Sequence, residues 1–293
     1  HRGELGDYKE KKGFPPTWEP YSFTENMYFK FRDWVWHFYI EPAIEKYGLM
    51  DYDIYHFDWG LDLYRDSRFA KRIAKLGKPI VCTYHGQDMR TRGVIPEMDS
   101  LSQLNLTSEL DLIEKHPNLN YLFLPFDTNQ FIASETVHAP IRVCHSPTNR
   151  HYKGSEDLIP VCEKLDKEGL ISFNLIENQA YEKVIQQKQE SDILVDQVNN
   201  RGGWGYGMNS VESLAMGLVC MTELIEPYQK FIPDHPFVHI TAETFEVSLR
   251  KLISDPLALV EKKKESKQWV EKYHGFKGVS SALYNYYKIN KWV

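Results

Sequence analysis

Residues 141–195, IRVCHSPTNRHYKGSEDLIPVCEKLDKEGLISFNLIENQAYEKVIQQKQESDILV, alternate between two kinds of pattern. Ile141–His145, Ile171–Ile176 and Ile193–Val195 are short apolar runs rich in β-branched residues, as buried strands are. Between them, Ser155–Glu168 and Ala180–Glu190 carry apolar residues at helical spacing. Strand, helix, strand, helix, strand implies parallel strands joined by crossover helices, and ligands then belong at the carboxyl ends of the strands.

Working outward, Met208–Met216 reads as a helix, Leu218–Met221 and Phe237–Ile240 as strands, and helices close the chain. Upstream, Tyr52–Phe57, Pro79–Tyr84 and Tyr121–Leu124 are strand-like, with a helical segment at Arg68–Leu76. The fold class is therefore α/β, with two Rossmann-like halves. The halves separate between Ala133 and Pro140, where no period holds and a proline interrupts. The expected domains are 1–135 on the acceptor side, 136–275 as the donor half, and 276–293 as a terminal helix packing back toward the first domain. Thr24–Tyr47 is apolar and aromatic nearly all round, which predicts a long buried helix. The functional alternative is a helix that lies on a membrane surface or binds an acceptor. The chain opens at His1 with a polar, proline-bearing stretch instead of an apolar strand, and the expectation is that a natural N-terminal piece, including a first strand, is missing.

Composition narrows the function classes. With 35 basic against 41 acidic residues the net charge is −6, a field that repels phosphate backbones, so no nucleic-acid partner is expected. Cys82, Cys144, Cys162 and Cys220 lack C-x-x-C spacing and read as reduced core residues. The chain has no run of 18 apolar residues and no signal-like start, which predicts a cytoplasmic protein; peripheral membrane contact stays open, as does the oligomeric state. The Asp51-Tyr-Asp53 triplet precedes its strand instead of ending one, and neither H-E-x-x-H nor G-x-S-x-G occurs, so neither a metal site nor serine-nucleophile chemistry is expected.

Two segments carry chemistry. In His145–Gly154 a strand end leads toward a helix N-terminus, a place that favours anions, and Arg150 and Lys153 add two cations suited to a diphosphate. The bland alternative is a solvated basic turn. The second segment, Asp192–Gly207, runs from a buried strand into a loop with four glycines in its last six residues, which lets backbone approach a ligand closely. It is neither a P-loop nor a dinucleotide fingerprint. Glu212, on the following helix, supplies a carboxylate that can accept both hydroxyls of a ribose.

Together these segments resemble the donor half of the retaining family-4 glycosyltransferases with the GT-B fold. In that family an Arg and a Lys-Gly after the first strand of the second domain contact the donor diphosphate, as Arg150 and Lys153-Gly154 would here. The family's Glu-Ala-Met-Ala-x-Gly helix corresponds to Glu212-Ser-Leu-Ala-Met-Gly217, so the resemblance makes Glu212 the ribose ligand. Asn149 and the loop residues Gly203, Trp204, Gly205, Tyr206 and Gly207 complete the expected donor set. In the first half, Thr83-Tyr-His-Gly-Gln-Asp88 is similar to the family's His-Gly-x-Asp segment, which places His85 near the transferred sugar with Asp88 beside it as the catalytic pair. The chain departs from the pattern at Trp204, which stands where the family has a sugar-contacting glutamate, and it shows no Gly-rich loop before Tyr52.

The resemblance covers about Asp53 to Gly275. It implies two Rossmann-like domains facing across a cleft, and a hexose-type sugar moved with retention from a nucleoside diphosphate donor to an acceptor hydroxyl. No metal or other cofactor is needed; the nucleotide sugar is a substrate. The acceptor is a glycan, a lipid-linked molecule or another glycoconjugate. Two rivals remain, a non-catalytic carbohydrate- or nucleotide-binding protein of the same fold and a sugar-nucleotide epimerase.

Overall fold

The computed structural model of the protein describes residues 22–134, 136–201 and 205–293, so Gly203, Trp204 and the opening polar stretch lie outside the described residues. The chain divides into two compact units, one ending at Leu122 and taking in Lys291–Val293, the other Phe123–Asn290.

In the first unit the order is α1 (Phe23–Lys46), β1 (Tyr55–Asp58), α2 (Arg68–Lys75), β2 (Ile80–Tyr84), α3 (Gly86–Thr91), α4 (Pro96–Leu101), β3 (Leu104–Thr107) and β4 (Leu119–Tyr121). The strands form a parallel sheet in the order β1-β2-β3-β4, with Tyr55 opposite Ile80 and Val81 opposite Leu104. The inward faces of β1 and β2 meet α2 through Tyr55, Phe57, Phe69, Ile73 and Ile80. Strand β3 is not among the sequence expectations, because its Asn105 and Thr107 are polar and yet buried; Asn105 Nδ2 donates to the Asp99 carboxylate at 2.8 Å, while its Oδ1 is buried without a hydrogen-bond partner.

Helix α1 corrects the expectation of burial. Phe31, Trp34 and Phe38 are 63%, 61% and 59% exposed, and the helix reaches the core only near its end, through Ile40 and Ile44. An apolar residue at every helical angle gives no preferred face, and this helix packs on one side alone.

The second unit runs β5 (Ile141–His145), α5 (Arg150–Lys153), α6 (Ser155–Lys167), β6 (Ile171–Leu175), α7 (Tyr181–Gln189), β7 (Ile193–Val195), α8 (Met208–Ala215), β8 (Val219–Thr222), α9 (Glu226–Phe231), β9 (Val238–His239), α10 (Phe245–Ile253), α11 (Pro256–Tyr273) and α12 (Phe276–Ile289). Its parallel sheet has the order β6-β5-β7-β8-β9. The chain therefore reverses its direction of travel across the sheet between β5 and β7, and in open α/β sheets the crevice beyond such a switch point is where ligands sit. Val143, Val195, Val219 and Met221 from the strands pack with Leu158, Phe245 and Leu259 from the helices.

The segment leading into β5 is fastened to this unit. Phe126 N–H donates to the His274 carbonyl at 2.8 Å, and Lys267 Nζ donates to the Thr128 carbonyl at 2.7 Å. Buried Asp192 accepts from Lys263 Nζ at 3.0 Å, from the His138 N–H at 3.1 Å and from the Arg142 N–H at 3.0 Å. All four cysteines are buried and unbridged.

Candidate functional site

The carboxyl end of β5 is His145, fully buried, whose Nδ1–H donates to the Val195 carbonyl at 2.7 Å while Nε2 accepts from Ser155 Oγ at 2.8 Å. Burial lowers its pKa, so the ring is neutral and ties β5, β7 and the first residue of α6 together. Beyond it, Asn149 caps the one-turn helix α5, its Oδ1 accepting the N–H groups of His151 and Tyr152 at 3.0 and 3.2 Å. Gly154 joins α5 to α6 at φ 63°, and a Cβ there would stand 2.6 Å from Val198 Cγ2 and 2.8 Å from the Val198 carbonyl oxygen. Conformation and close approach both require glycine at this position.

The two expected phosphate cations differ. Arg150 is exposed and holds Glu177 in a fork, Nε to Oε1 at 2.8 Å and Nη2 to Oε2 at 2.6 Å, and this hydrogen bonding lowers the Glu177 pKa. Lys153 turns inward. Its Nζ donates to Asp196 Oδ1 at 2.6 Å and to Gln197 Oε1 at 3.0 Å. Asp196, just past β7, is fully buried and also accepts from Asn209 Nδ2 at 2.8 Å and Ser210 Oγ at 2.5 Å. Burial alone would raise its pKa, but the Lys153 charge and these donors outweigh burial and hold the carboxyl below its ordinary value.

The glycine loop enters α8 through Gly205, at φ 116°, and Gly207, which precedes the first helical residue. A Cβ on Gly205 would collide with Leu224 Cδ2 and the Glu223 carbonyl. Tyr206 faces inward, 5% exposed, and its OH donates to His274 Nε2 at 3.0 Å while His274 Nδ1–H donates to the Leu124 carbonyl at 2.8 Å. Burial drives the His274 pKa down to about 4.

Glu212 is nearly buried. Its Oε2 accepts from Lys188 Nζ at 2.9 Å and its Oε1 from the Tyr181 hydroxyl at 3.0 Å. Lys188, with no exposed surface, also donates to the main-chain and side-chain oxygens of Asn209, both at 3.0 Å. Asn209 thus bridges the two halves of the site, and a continuous chain runs Lys153, Asp196, Asn209, Lys188, Glu212, Tyr181. It brings Lys153 and Glu212, two residues singled out from sequence alone, into one network at the switch point. Asp196, Asn209, Lys188 and Tyr181 are the members that sequence reasoning missed, as is Glu177, the partner of Arg150. An acid closing the apolar run Ile193–Val195 was a readable signal for Asp196; a lysine on a helix ordinarily signals solvent.

The remaining expected residues belong to the first unit. His85 is the N-cap of α3, its backbone N–H donating to Asp88 Oδ1 at 2.8 Å, and its Nε2 bonds Asp58 Oδ1 at 2.8 Å. Asp88 is buried, which raises its pKa, and it also accepts the Met89 N–H at 2.9 Å. Asp88 Oδ1 thus holds the start of α3 while its buried Oδ2 has no hydrogen-bond partner, and Asp58, at the end of β1, joins the set. Among the described residues no group of three or more His, Cys, Asp or Glu side chains is placed to hold a metal ion.

No family model matches the sequence, and no curated protein matches it. Solved structures do. Sucrose-phosphate synthase from Thermosynechococcus elongatus superposes with a TM-score of 0.54 at 11% identity, over 85% of this chain and 75% of its own. HepE from Anabaena in complex with UDP gives 0.55 at 10%, over 84% and 82%. An α-glucosyltransferase in complex with UDP and a 13-mer DNA gives 0.55 at 10%, over 80% of each chain. The protein thus has the α/β fold of GT-B glycosyltransferases, and at such identities the likeness speaks of fold alone. One protein of this fold is in complex with DNA, so the expectation of no nucleic-acid partner rests on the charge of this chain and is not supported by its architecture.

Proposed function

We propose that the protein is a glycosyltransferase whose second unit binds a nucleoside diphosphate sugar at the β5/β7 switch point. The observation that carries this reading is the buried chain from Lys153 to Glu212, which spans from a strand end with two cations to a carboxylate suited to ribose. The likeness of fold to transferases that bind UDP supports it.

On this reading the diphosphate takes the remaining N–H of the Lys153 ammonium and the guanidinium of Arg150, which exchanges Glu177 for phosphate. That exchange is cheap, because an exposed ion pair contributes little. Negative charge grows on the departing diphosphate in the transition state, so fixed cations there stabilise it more than the ground state. The bond from the sugar's anomeric carbon to the diphosphate breaks, a bond to the acceptor oxygen forms on the same face, and the acceptor's hydroxyl proton passes to the departing diphosphate, giving retention without a metal. The donated sugar is of hexose type and the acceptor is a glycan, lipid-linked or other glycoconjugate hydroxyl. Glu212 accepts the ribose hydroxyls, and Tyr181 yields its oxygen to them. Among the described residues no helix is long and apolar enough to cross a membrane; we further propose that the protein is cytoplasmic, with peripheral membrane contact through the exposed aromatics of α1.

The test is incubation with UDP-, GDP- and ADP-sugars and a panel of acceptors, with and without EDTA, followed by NMR of the product's anomeric configuration. Retained configuration insensitive to EDTA is expected. Inversion, or turnover only with added metal, overturns the mechanism; epimerised nucleotide sugar with no acceptor product overturns the reaction class.

A further inference from the structure

The first unit holds a cavity of about 490 Å³ that the donor site does not use. It lies against the loop that follows β1, with one wall from α1 and another from the turn after α3, and Arg32, Trp36, Asp62, Arg65, Arg92 and Ile95 are among its lining. Its size falls within the roughly 300–1,000 Å³ of small-molecule sites, and its place beyond a parallel strand's carboxyl end is where α/β units bind ligands. The loop is held in costly backbone: Trp59 and Ser67 both lie in the left-handed region, at φ 59° and 56°. Gly60 between them lies too close to Tyr84 for a side chain, 2.8 Å from its hydroxyl to a built Cβ.

The charges around the cavity are specific. The Arg32 guanidinium is neutralised by Asp33 at 2.9 Å. Asp62 spends its oxygens on the N–H groups of Tyr64 and Ala70, at 3.4 and 2.9 Å, and so fixes the start of α2. Arg65 spreads its guanidinium over the Phe29 ring at 3.7 Å. Arg92 is half-buried, donates to the carbonyls of Trp59 at 2.5 Å and Gly93 at 3.3 Å, and has no carboxylate within ion-pair distance among the described residues. Burial lowers its pKa, and the negative charge of Asp88 offsets this only in part. A chain with a net charge of −6 therefore keeps a cationic hollow, walled by the Trp36 indole and aliphatic side chains. Guanidinium groups suit phosphate and carboxylate, and an aromatic face suits the apolar face of a sugar ring.

We propose that this cavity binds an anionic sugar, one carrying phosphate or carboxylate, between Arg92, Arg65 and Trp36. On the transferase reading above, this ligand is the acceptor; the binding itself does not depend on that reading. The probes are glucose 6-phosphate, glucuronate, glucose and inorganic phosphate, titrated calorimetrically into the protein without nucleotide. At least one anionic sugar binds saturably, at least tenfold tighter than glucose and than inorganic phosphate. Arg92→Gln and Arg65→Gln each weaken it by about tenfold to a hundredfold, the scale of one charged hydrogen bond. Trp36→Ala weakens the sugar but not inorganic phosphate.

The variants stay folded at the titration temperature, as circular dichroism reads it, and their nucleotide affinity stays at the wild-type value, which separates this site from the donor site. The proposal is overturned if neither anionic sugar binds, if glucose or inorganic phosphate binds as tightly, or if folded arginine variants bind unchanged. Anionic-sugar binding by a protein that takes up no nucleotide leaves the cavity assignment standing and sinks the transferase reading. Nucleotide binding without any anionic-sugar binding does the reverse.

Discussion

Replacing Lys188 by Met tests whether the buried chain at the switch point is what aims Glu212. Lys188 has no exposed surface and the Glu212 side chain is 12% exposed. The substitution removes three acceptors' worth of hydrogen bonding at 2.9 to 3.0 Å, and leaves Glu212 with the neutral Tyr181 hydroxyl as its remaining partner. Breaking one side of a buried ion pair costs about 3–5 kcal/mol, because the surviving charge keeps its burial without its partner. At roughly 2–4 °C per kcal/mol for a unit of this size, the unfolding temperature should fall by about 6–20 °C. Differential scanning calorimetry reads this directly.

Binding gives a second readout that a merely structural lysine would not move. With wild-type protein, a nucleotide lacking its ribose hydroxyls should bind more weakly than the complete one by about tenfold or more, the scale of hydrogen bonds to a carboxylate. In Lys188→Met that ratio should collapse toward one, measured below the variant's unfolding temperature. A variant that melts with the wild type, or that still discriminates the ribose hydroxyls fully, refutes the reasoning.

Three further outcomes follow from the same site. His274 has a folded pKa of about 4 against an ordinary 6.5, so its neutral form contributes about 3 kcal/mol of stability that is complete above pH 6.5 and lost as pH falls from there toward 4; His274→Gln should flatten that part of the profile of unfolding temperature against pH, and parallel profiles would exclude the effect. Gly154→Ala should destabilise by about 2–4 kcal/mol in urea titration, combining left-handed strain with the contact at Val198, whereas Gly169→Ala, at φ 71° with open space around it, should show the strain alone. Lys153→Ala should lower the unfolding temperature as well as nucleotide affinity, since it strands the buried Asp196 carboxylate, while Arg150→Ala should lower affinity only; equal melting of both variants would contradict the different burial of the two cations.

Most of the second unit was legible in the sequence because its strands are short apolar runs set between helices of ordinary period. Ile193–Val195 is observed with the expected bounds, and Ser155–Lys167 ends one residue before expectation. Strand β3 was not legible, since Asn105 and Thr107 look like loop residues until the sheet buries them. In α1 the opposite happened: aromatic residues on every face suggested burial, and most of them meet solvent. The candidate site shows the same division. Lys153, Gly154 and Glu212 stand out by residue type and spacing. Lys188, a buried charge balanced by Glu212 only in the folded unit, carries no local signal, and Asp196 shows only as an acid closing an apolar run, because their charge partners are distant in sequence.

The central claim is tested most directly by isothermal titration of UDP, GDP and ADP into the protein and into Arg150→Ala. The account predicts saturable binding of one nucleotide, weakened roughly tenfold to a hundredfold in the variant, since Arg150 is exposed and its loss leaves the fold intact. Binding of none of the three, or equal binding by the variant, would contradict a donor site at the β5/β7 switch point.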